Sequence, residues 1–376
     1  MKALTGAFAV AFAIKQINPD VMAIYPITPQ TPIVMKYAQY VADGLVDTEM
    51  IRVESEHSAL SAVVGSAKSG ARSMTATSSA GLALMHEVMG IASGLRCPIV
   101  MPVVNRALSG PINIHCDHSD VMPERDSSWI TFFCENPQEA YDFTIIATKL
   151  AEKILLPAMV CQDGFFTSHA VENCETIDDK KVKDFVGEYT PLRSLLDIKN
   201  PHTIGPLQLY DYFFETKRQQ HDAMQDTLKE YKEITKEYEK ISGRKYEYFE
   251  EYKLNDAEDI IVAMSSIAGT IKEVVDNLRK EGKKVGLLKI NMFRPFPYSE
   301  VEKALSKAKN IAVLDRSASF GAYPPLYTEI KNSLNTIKNM QSYVFGLGGR
   351  DTFEKDIVKV FKDINKKLKP QYLGVR

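Results

Sequence analysis

Cysteine is scarce and scattered in this sequence. The five residues, Cys97, Cys116, Cys134, Cys161 and Cys174, form no Cys-x-x-Cys pair, so their spacing builds neither a zinc site nor an iron-sulfur cluster. An odd, dispersed set suits a reducing cytoplasm, and a cytoplasmic location is expected. An excess of either charge is also missing. Lys and Arg total 46 against 48 Asp and Glu, a formal net charge of -2, without the clustered basic face that nucleic acid or an anionic membrane attracts. No apolar run reaches the length of a membrane span: Met1 to Ile14 is apolar but short, carries only Lys2 ahead of the run, and reads as a buried helix over Gly6–Gln16. A Gly-x-Gly-x-x-Gly fingerprint is absent too. Gly346-Leu347-Gly348-Gly349-Arg350-Asp351 is a tight turn feeding a helix, which needs no ligand.

What is present is ordinary globular material in large amount. At 376 residues, 45% hydrophobic and 25% charged, the chain exceeds one ordinary core and predicts two or three domains. From Leu4 to about Ala170, helices over Gly6–Gln16, Pro32–Asp43, Ser55–Gly70, Gly81–Gly94 and Pro137–Lys153 alternate with strands over Val21–Tyr25, Met50–Val53, Ser73–Ala76, Pro98–Val104, Thr131–Phe133 and Ala158–Gln162. That alternation predicts an α/β fold with a parallel sheet. Residues 175–206 read as an irregular connection. Leu207 to Lys240 reads as one or two long charged helices with an apolar seam at Leu228, Tyr231, Ile234 and Tyr238, able to pack on either domain or on a partner. A second α/β unit begins near Asp256, with strands over Asp259–Met264, Lys284–Ile290, Asn310–Leu314 and Tyr343–Leu347 and a last helix over Thr352–Lys366. The expected division is 1–206, 207–255 and 256–376, with a parallel sheet in the first and last parts.

The polar motifs fall at strand ends. Ala23 to Thr31 breaks the rules for continuing either a strand or a helix: Pro26 stops the strand, and Pro29 pushes Thr28 out of the helical region, presenting its hydroxyl at a stiff strand end. A plain proline turn with Thr31 as N-cap and Pro32 as first helical residue explains the same residues. Glu54-Ser55-Glu56-His57 lies where the second strand becomes a helix. With Ser55 as cap, Glu56 falls in the first turn, where the helix dipole favours its ionised form and burial opposes it; a simple acidic first turn also accounts for it. Thr77-Ser78-Ser79-Ala80-Gly81 offers small hydroxylated residues at a helix start, for close approach of a ligand or for capping alone. Arg106 follows the fourth strand and suits a carboxylate clamp, or a pair with a nearby acid. Asp117-His118-Ser119-Asp120 lies in a long irregular stretch expected to form a mobile loop closing over substrate. His115 and His118 at i, i+3 in a loop are weak evidence for a metal, and none is expected in this chain. Thr28, Glu56, Thr77–Gly81 and Arg106 each follow a parallel strand, so they share the sheet edge where ligands bind.

With those residues in hand, the chain resembles the α subunit of 2-oxoacid:ferredoxin oxidoreductases, and the pyruvate enzymes in particular. The resemblance rests on Tyr25-Pro26-Ile27-Thr28-Pro29, Glu54-Ser55-Glu56-His57, Thr77-Ser78-Ser79-Ala80-Gly81, Asn105-Arg106-Ala107-Leu108 and Asp117-His118-Ser119-Asp120-Val121-Met122. In the second half it rests on Phe293-Arg294-Pro295-Phe296-Pro297, Val313-Leu314-Asp315-Arg316 and the turn at Gly346. It implies a thiamine diphosphate pyrimidine-binding domain followed by a domain like the transketolase C-terminal domain. It also implies that a β subunit holds the diphosphate and Mg²⁺, while iron-sulfur clusters sit in partner subunits, the set being β, γ and δ chains or fused equivalents. The chain has no Gly-Asp-Gly followed by Asn about thirty residues on, the pattern expected to hold metal and diphosphate. By resemblance, Glu56 would hydrogen-bond the pyrimidine N1′, with Pro26, Ser79 and Gly81 beside the coenzyme. Thr28 and Arg106 would bind the oxoacid, and Asp117, His118 and Asp120 would belong to a substrate loop. CoA would take the acyl group and ferredoxin the electrons. The implied substrate is pyruvate, with 3-methyl-2-oxobutanoate as the alternative and a non-catalytic scaffold subunit as the reading of another class.

Overall fold

Short apolar strands separated by amphipathic helices fold here as two open sheets, one in each half of the chain. The computed structural model describes residues 1–335, 339–366 and 368–376. The chain begins with β1 (Lys2–Thr5) and α1 (Gly6–Ile17). It continues through β2 (Val21–Ile24), α2 (Thr31–Ala42), β3 (Glu49–Arg52), α3 (Glu56–Lys68), β4 (Ser73–Met74), α4 (Ser79–Gly94), β5 (Val100–Asn105), β6 (Ile130–Cys134), α5 (Pro137–Ile154) and β7 (Ala158–Asp163). Then come β8 (Val171–Cys174), α6 (Asp179–Val186) and the long α7 (Phe213–Ser242). The second half holds β9 (Phe249–Tyr252), β10 (Asp259–Met264), α8 (Ile267–Lys280), β11 (Val285–Ile290), β12 (Met292–Arg294), α9 (Tyr298–Ala304), β13 (Asn310–Asp315), α10 (Pro325–Ser333), β14 (Asn339–Val344), α11 (Glu354–Asp363) and β15 (Gln371–Tyr372).

The first sheet has the order β12-β6-β7-β5-β4-β2-β3 and the second β15-β14-β13-β10-β11-β9. Both are parallel except at one edge, where β12 and β9 run antiparallel. The α/β class with two parallel sheets is therefore as expected. The edge strands are the surprise. β9 comes from the stretch read as linker and joins the second sheet, whereas β12 comes from the second half and joins the first. Each is four residues or fewer, too short to show an alternating pattern by itself.

One face of the first sheet is covered by α1, α2, α5 and the seam of α7, with Tyr231, Ile234 and Tyr238 in the core beside Phe132, Tyr141 and Phe143. The seam thus packs on the first half of the chain. Asp142 of α5 fixes it: buried completely, it accepts hydrogen bonds from Tyr238, from Tyr246 at 2.5 Å and from both Arg244 Nε and Nη2 at 2.7 Å. The opposite face, with α3 and α4, shares a single apolar cluster with β10, β11, α9 and α10 of the second half. Lys289 of β11 is buried across the same boundary, bonded to Glu139 and lying 2.9 Å from Glu135 and 3.1 Å from Glu250. Isolated, that ammonium would be prohibitively costly; three carboxylates make its burial tenable.

Local expectations shift in four places. Gln30, not Thr31, precedes α2, because the N–H groups of Gln30 and Thr31 both already bond the Ile27 carbonyl and the turn is wound before Thr31. β14 begins at Asn339 rather than Tyr343, its first half hidden by polar residues that pair with β13 through the backbone. The irregular connection contains α6, and α4 starts two residues early at Ser79.

Candidate functional site

β2 lies between β3 and β4 in the first sheet, so the chain leaves β2 to one side and returns on the other. Connections diverge at such a switch point, and the crevice outside the strand ends is where open α/β sheets bind ligands. Thr28 follows β2, Glu56 follows β3, Thr77 to Gly81 follow β4 and Arg106 follows β5.

Ser55 caps α3, its Oγ accepting from the Ser58 N–H at 3.2 Å, and this makes Glu56 the first helical residue. Glu56 is only 7% exposed, yet among the described residues its carboxylate has no hydrogen-bond or ion-pair partner. α4 closes against it at Gly81. A β-carbon there would lie 2.6 Å from Glu56 Oε1, 2.6 Å from Thr77 Oγ1 and 2.8 Å from Glu56 Cγ, so only glycine permits this approach. The hydroxyls of Thr75, Thr77 and Ser78 are buried nearby in the chain without partners. Buried hydroxyls without partners are costly unless a ligand supplies the missing hydrogen bonds, and the unpaired Glu56 carboxylate borders one of them, Thr77.

Arg106 forms the other side of the crevice. It is buried, donating from Nη1 to the Thr28 carbonyl at 3.0 Å and from Nε to the Asn113 carbonyl at 2.9 Å. Among the described residues no carboxylate reaches ion-pair distance of its guanidinium, so the pairing with a nearby acid does not occur. Its charge remains available to an anion. Thr28 is exposed, as is Pro26, and the Thr28–Pro29 peptide is cis.

Asp120 ties the two sides together. Its Oδ2 accepts from the N–H groups of Ser79 at 3.1 Å and Arg106 at 2.9 Å, and its Oδ1 from Asn105 Nδ2 at 3.0 Å and the Val121 N–H at 2.9 Å. Burial pushes the Asp120 carboxyl up to about 6, opposed by the bonds from Asn105, Arg106 and Ser79. Ser79 sits in the left-handed region at φ 46°, which costs a non-glycine residue about 1 kcal/mol. The bond to Asp120 and its own Oγ bond to the Ala107 carbonyl at 2.7 Å hold it there.

The stretch read as one loop divides in two. Residues 109–115 are largely exposed, while Cys116, Asp117, His118 and Asp120 are buried. Asp117 accepts from Ser119 and from the Gly348 N–H at 3.1 Å. His118 Nε2 lies 2.8 Å from Asp163 Oδ1. These three side chains are spent on internal contacts and root the loop instead of facing the crevice.

Asp163 was not among the expected site residues. It ends β7 just as Asn105 ends β5, after an equally apolar run, and that parallel was the available signal. Fully buried, it also accepts from Ser266 Oγ at 2.5 Å and from the Ser266 N–H at 3.2 Å, and it lies 3.4 Å from Arg316 Nη1. Burial alone would raise its pKa; Arg316, then His118 and Ser266, outweigh it and hold the carboxyl well below the usual range. The knot joins the two halves of the chain directly behind the loop.

Residues 12–240 match the family described as pyruvate flavodoxin/ferredoxin oxidoreductase, thiamine diP-bdg, and residues 257–357 match pyruvate:ferredoxin oxidoreductase core domain II. Pyruvate synthase subunit PorA of Thermotoga maritima is 58% identical, over 100% of this chain and 98% of the relative. Its counterpart in Methanocaldococcus jannaschii is 47% identical over 97% and 95%. Ketoisovalerate oxidoreductase subunit VorA of Pyrococcus abyssi is 41% identical over 97% and 93%. Among solved structures, 2-oxoglutarate:ferredoxin oxidoreductase from Magnetococcus marinus, with 2-oxoglutarate, coenzyme A and succinyl-CoA bound, superposes with a TM-score of 0.77 at 19% identity. That superposition covers 97% of this chain and 65% of the other, and it establishes likeness of fold. Matched across both halves, with relatives this similar over nearly all of its length, the chain belongs to the pyruvate flavodoxin/ferredoxin oxidoreductase family.

Proposed function

We propose that this chain is the α-type subunit of a thiamine diphosphate-dependent pyruvate:ferredoxin oxidoreductase. The complete enzyme converts pyruvate and CoA to acetyl-CoA and CO₂, reversibly, with electrons passing to ferredoxin. One observation carries the reading: the unpaired carboxylate of the largely buried Glu56, closed against Gly81 and beside Thr77, whose buried hydroxyl also has no partner. These residues fit a flat heterocycle bearing hydrogen-bonding nitrogens, as the aminopyrimidine ring is. Glu56 would hold that ring at N1′, with Pro26, Ser79 and Gly81 bordering it.

The coenzyme, when bound, supplies the nucleophilic carbon and the electron sink. The chain's own residues do the rest of this half-site. Glu56, the first helical residue of α3, holds its carboxylate where it can exchange a proton with the ring nitrogen. Arg106, anchored on two carbonyls, offers its remaining N–H groups to the oxoacid carboxylate. Thr28 presents an exposed hydroxyl at the same strand edge, and Asp117, His118 and Asp120 root the loop that covers the substrate.

The names of the relatives, as subunits of pyruvate synthase, support a multi-subunit complex; in it, β, γ and δ chains or fused equivalents would hold the diphosphate, Mg²⁺ and iron-sulfur clusters. Greater identity to PorA than to VorA supports pyruvate over 3-methyl-2-oxobutanoate. The division into residues 1–206, 207–255 and 256–376 and a cytoplasmic location belong to the same proposal. Among the described residues no helix is long and apolar enough to cross a membrane.

In the reconstituted complex, Glu56→Gln should lower CoA-dependent pyruvate oxidation by about 10²-fold or more, the usual worth of a positioned acid-base group. A rate near wild type would return the chain to the role of a scaffold. A panel of 2-oxoacids should give the highest kcat/KM with pyruvate. A higher value with 3-methyl-2-oxobutanoate would move the substrate to that of the VorA relatives.

A further inference from the structure

The turn at Gly346–Asp351 has no part in the reading above, yet it reaches the site. We propose that it is a latch by which the second half of the chain aims Arg106, and that Gly348, Gly349 and Asn113 are positioning residues for the 2-oxoacid. The proposal rests on the function given above.

Gly346, Gly348 and Gly349 have φ of 62°, 59° and 78°, a backbone that side-chain-bearing residues rarely adopt. So shaped, the turn lies flat on the loop before Asp117. The Gly349 N–H donates to the Cys116 carbonyl at 2.7 Å and the Gly348 N–H to Asp117 Oδ2 at 3.1 Å, while the Gly348 carbonyl accepts from Asn113 Nδ2 at 3.1 Å. There is no room for a methyl group. A β-carbon on Gly348 would lie 2.5 Å from Asn113 Nδ2, and one on Gly349 would lie 2.3 Å from His115 Cβ.

Asn113 passes this contact on. Its side-chain Oδ1 accepts from the His115 N–H at 2.7 Å, and its main-chain carbonyl accepts from Arg106 Nε at 2.9 Å. The His115 carbonyl in turn accepts from the Ala107 N–H at 2.9 Å, one residue beyond the clamp. The tip at 109–112 is exposed, so the loop's position depends on its two sides: the glycine turn on one and Arg106 with Ala107 on the other. The guanidinium direction is set by two carbonyls, those of Thr28 and Asn113. Released from Asn113 it can pivot about the remaining bond, and two parallel bonds to a carboxylate demand a fixed plane. Thus the turn governs substrate binding without touching substrate.

The test is steady-state kinetics on the reconstituted complex, with pyruvate and CoA varied in turn. Asn113→Asp keeps the size and the acceptor for His115 but cannot donate to the Gly348 carbonyl. The KM for pyruvate should rise about fivefold, the worth of one hydrogen bond, while the KM for CoA and kcat stay within about twofold. Gly349→Ala should raise the pyruvate KM about tenfold or more, since it adds left-handed strain to the clash with His115. Thiamine diphosphate binding, followed by fluorescence titration, should be unchanged in Asn113→Asp. Arg106→Ala is measured alongside. If it raises the pyruvate KM while both latch variants leave it unchanged, the latch is wrong and the clamp stands. If Arg106→Ala itself leaves the pyruvate KM unchanged, the clamp fails and the latch with it. A parallel rise in the KM for CoA, or lost coenzyme binding in Asn113→Asp, also overturns the proposal, because it marks damage to the fold.

Discussion

Replacing Gly81 by alanine separates the demands of the helix from those of the site. Gly81 lies in the first turn of α4 outside the left-handed region, so nothing in the backbone opposes alanine, and helix propensity favours it by about 1 kcal/mol. The side chain has nowhere to go. Its β-carbon would stand 2.6 Å from both Glu56 Oε1 and Thr77 Oγ1, roughly 0.8 Å inside ordinary van der Waals contact. Overpacking of this kind costs about 1–3 kcal/mol, so propensity and clash largely offset, and net stability should fall by no more than about 2 kcal/mol. Activity should not be spared. The group that yields is the Glu56 carboxylate, and a displacement near 1 Å of a positioned group can cost about 10²-fold in rate. The assay is CoA-dependent pyruvate oxidation by the reconstituted complex, read beside thermal unfolding of the same preparation. Activity within about twofold of wild type, with unfolding unchanged, would refute the placement of Glu56 against Gly81 as the centre of the site.

The knot at Asp163 predicts a pH effect and a large loss. Its pKa is depressed on folding, so its stabilisation is complete above the unfolded value of about 3.9 and is lost as pH falls toward the folded value. Asp163→Asn should cost about 3–5 kcal/mol at neutral pH, because Arg316 keeps a buried charge without a counter-ion, and it should flatten the acid side of the stability curve. Denaturant unfolding across pH checks both, and an acid limb as steep as wild type counts against the assignment. Ser55→Ala removes the cap of α3 and should lower stability by about 1 kcal/mol in the same assay. No loss would mean that other contacts fix the start of that helix and the place of Glu56.

Much of the fold was legible because it follows from local pattern. Alternation of apolar strands with amphipathic helices specified the order of elements, and the position of each polar motif after a strand put Thr28, Glu56, Gly81 and Arg106 on one edge. Short edge strands were not legible. β9 and β12 are defined by the neighbour they pair with, and each joins a sheet that its place in the chain does not suggest. Ser79 looked like a cap or a ligand group; its φ of 46° and its bonds to Asp120 and Ala107 make it part of the frame. Asp117, His118 and Asp120 looked like part of a mobile loop closing over substrate, and in the fold their side chains are buried.

The sequence by itself determined the α/β class, the sheet edge that gathers the candidate site residues, and the capped first turn holding Glu56, because spacing, proline and capping act over a few residues. Only the tertiary structure decided which groups remain unpaired. Arg106 is free of acids and Glu56 of donors, while Asp163 is saturated, and each state depends on partners brought from distant parts of the chain. The glycine turn shows the same division. Its residues announce a tight bend, but that the bend lands on Asn113 and His115 depends on how the two halves pack, which no local pattern encodes.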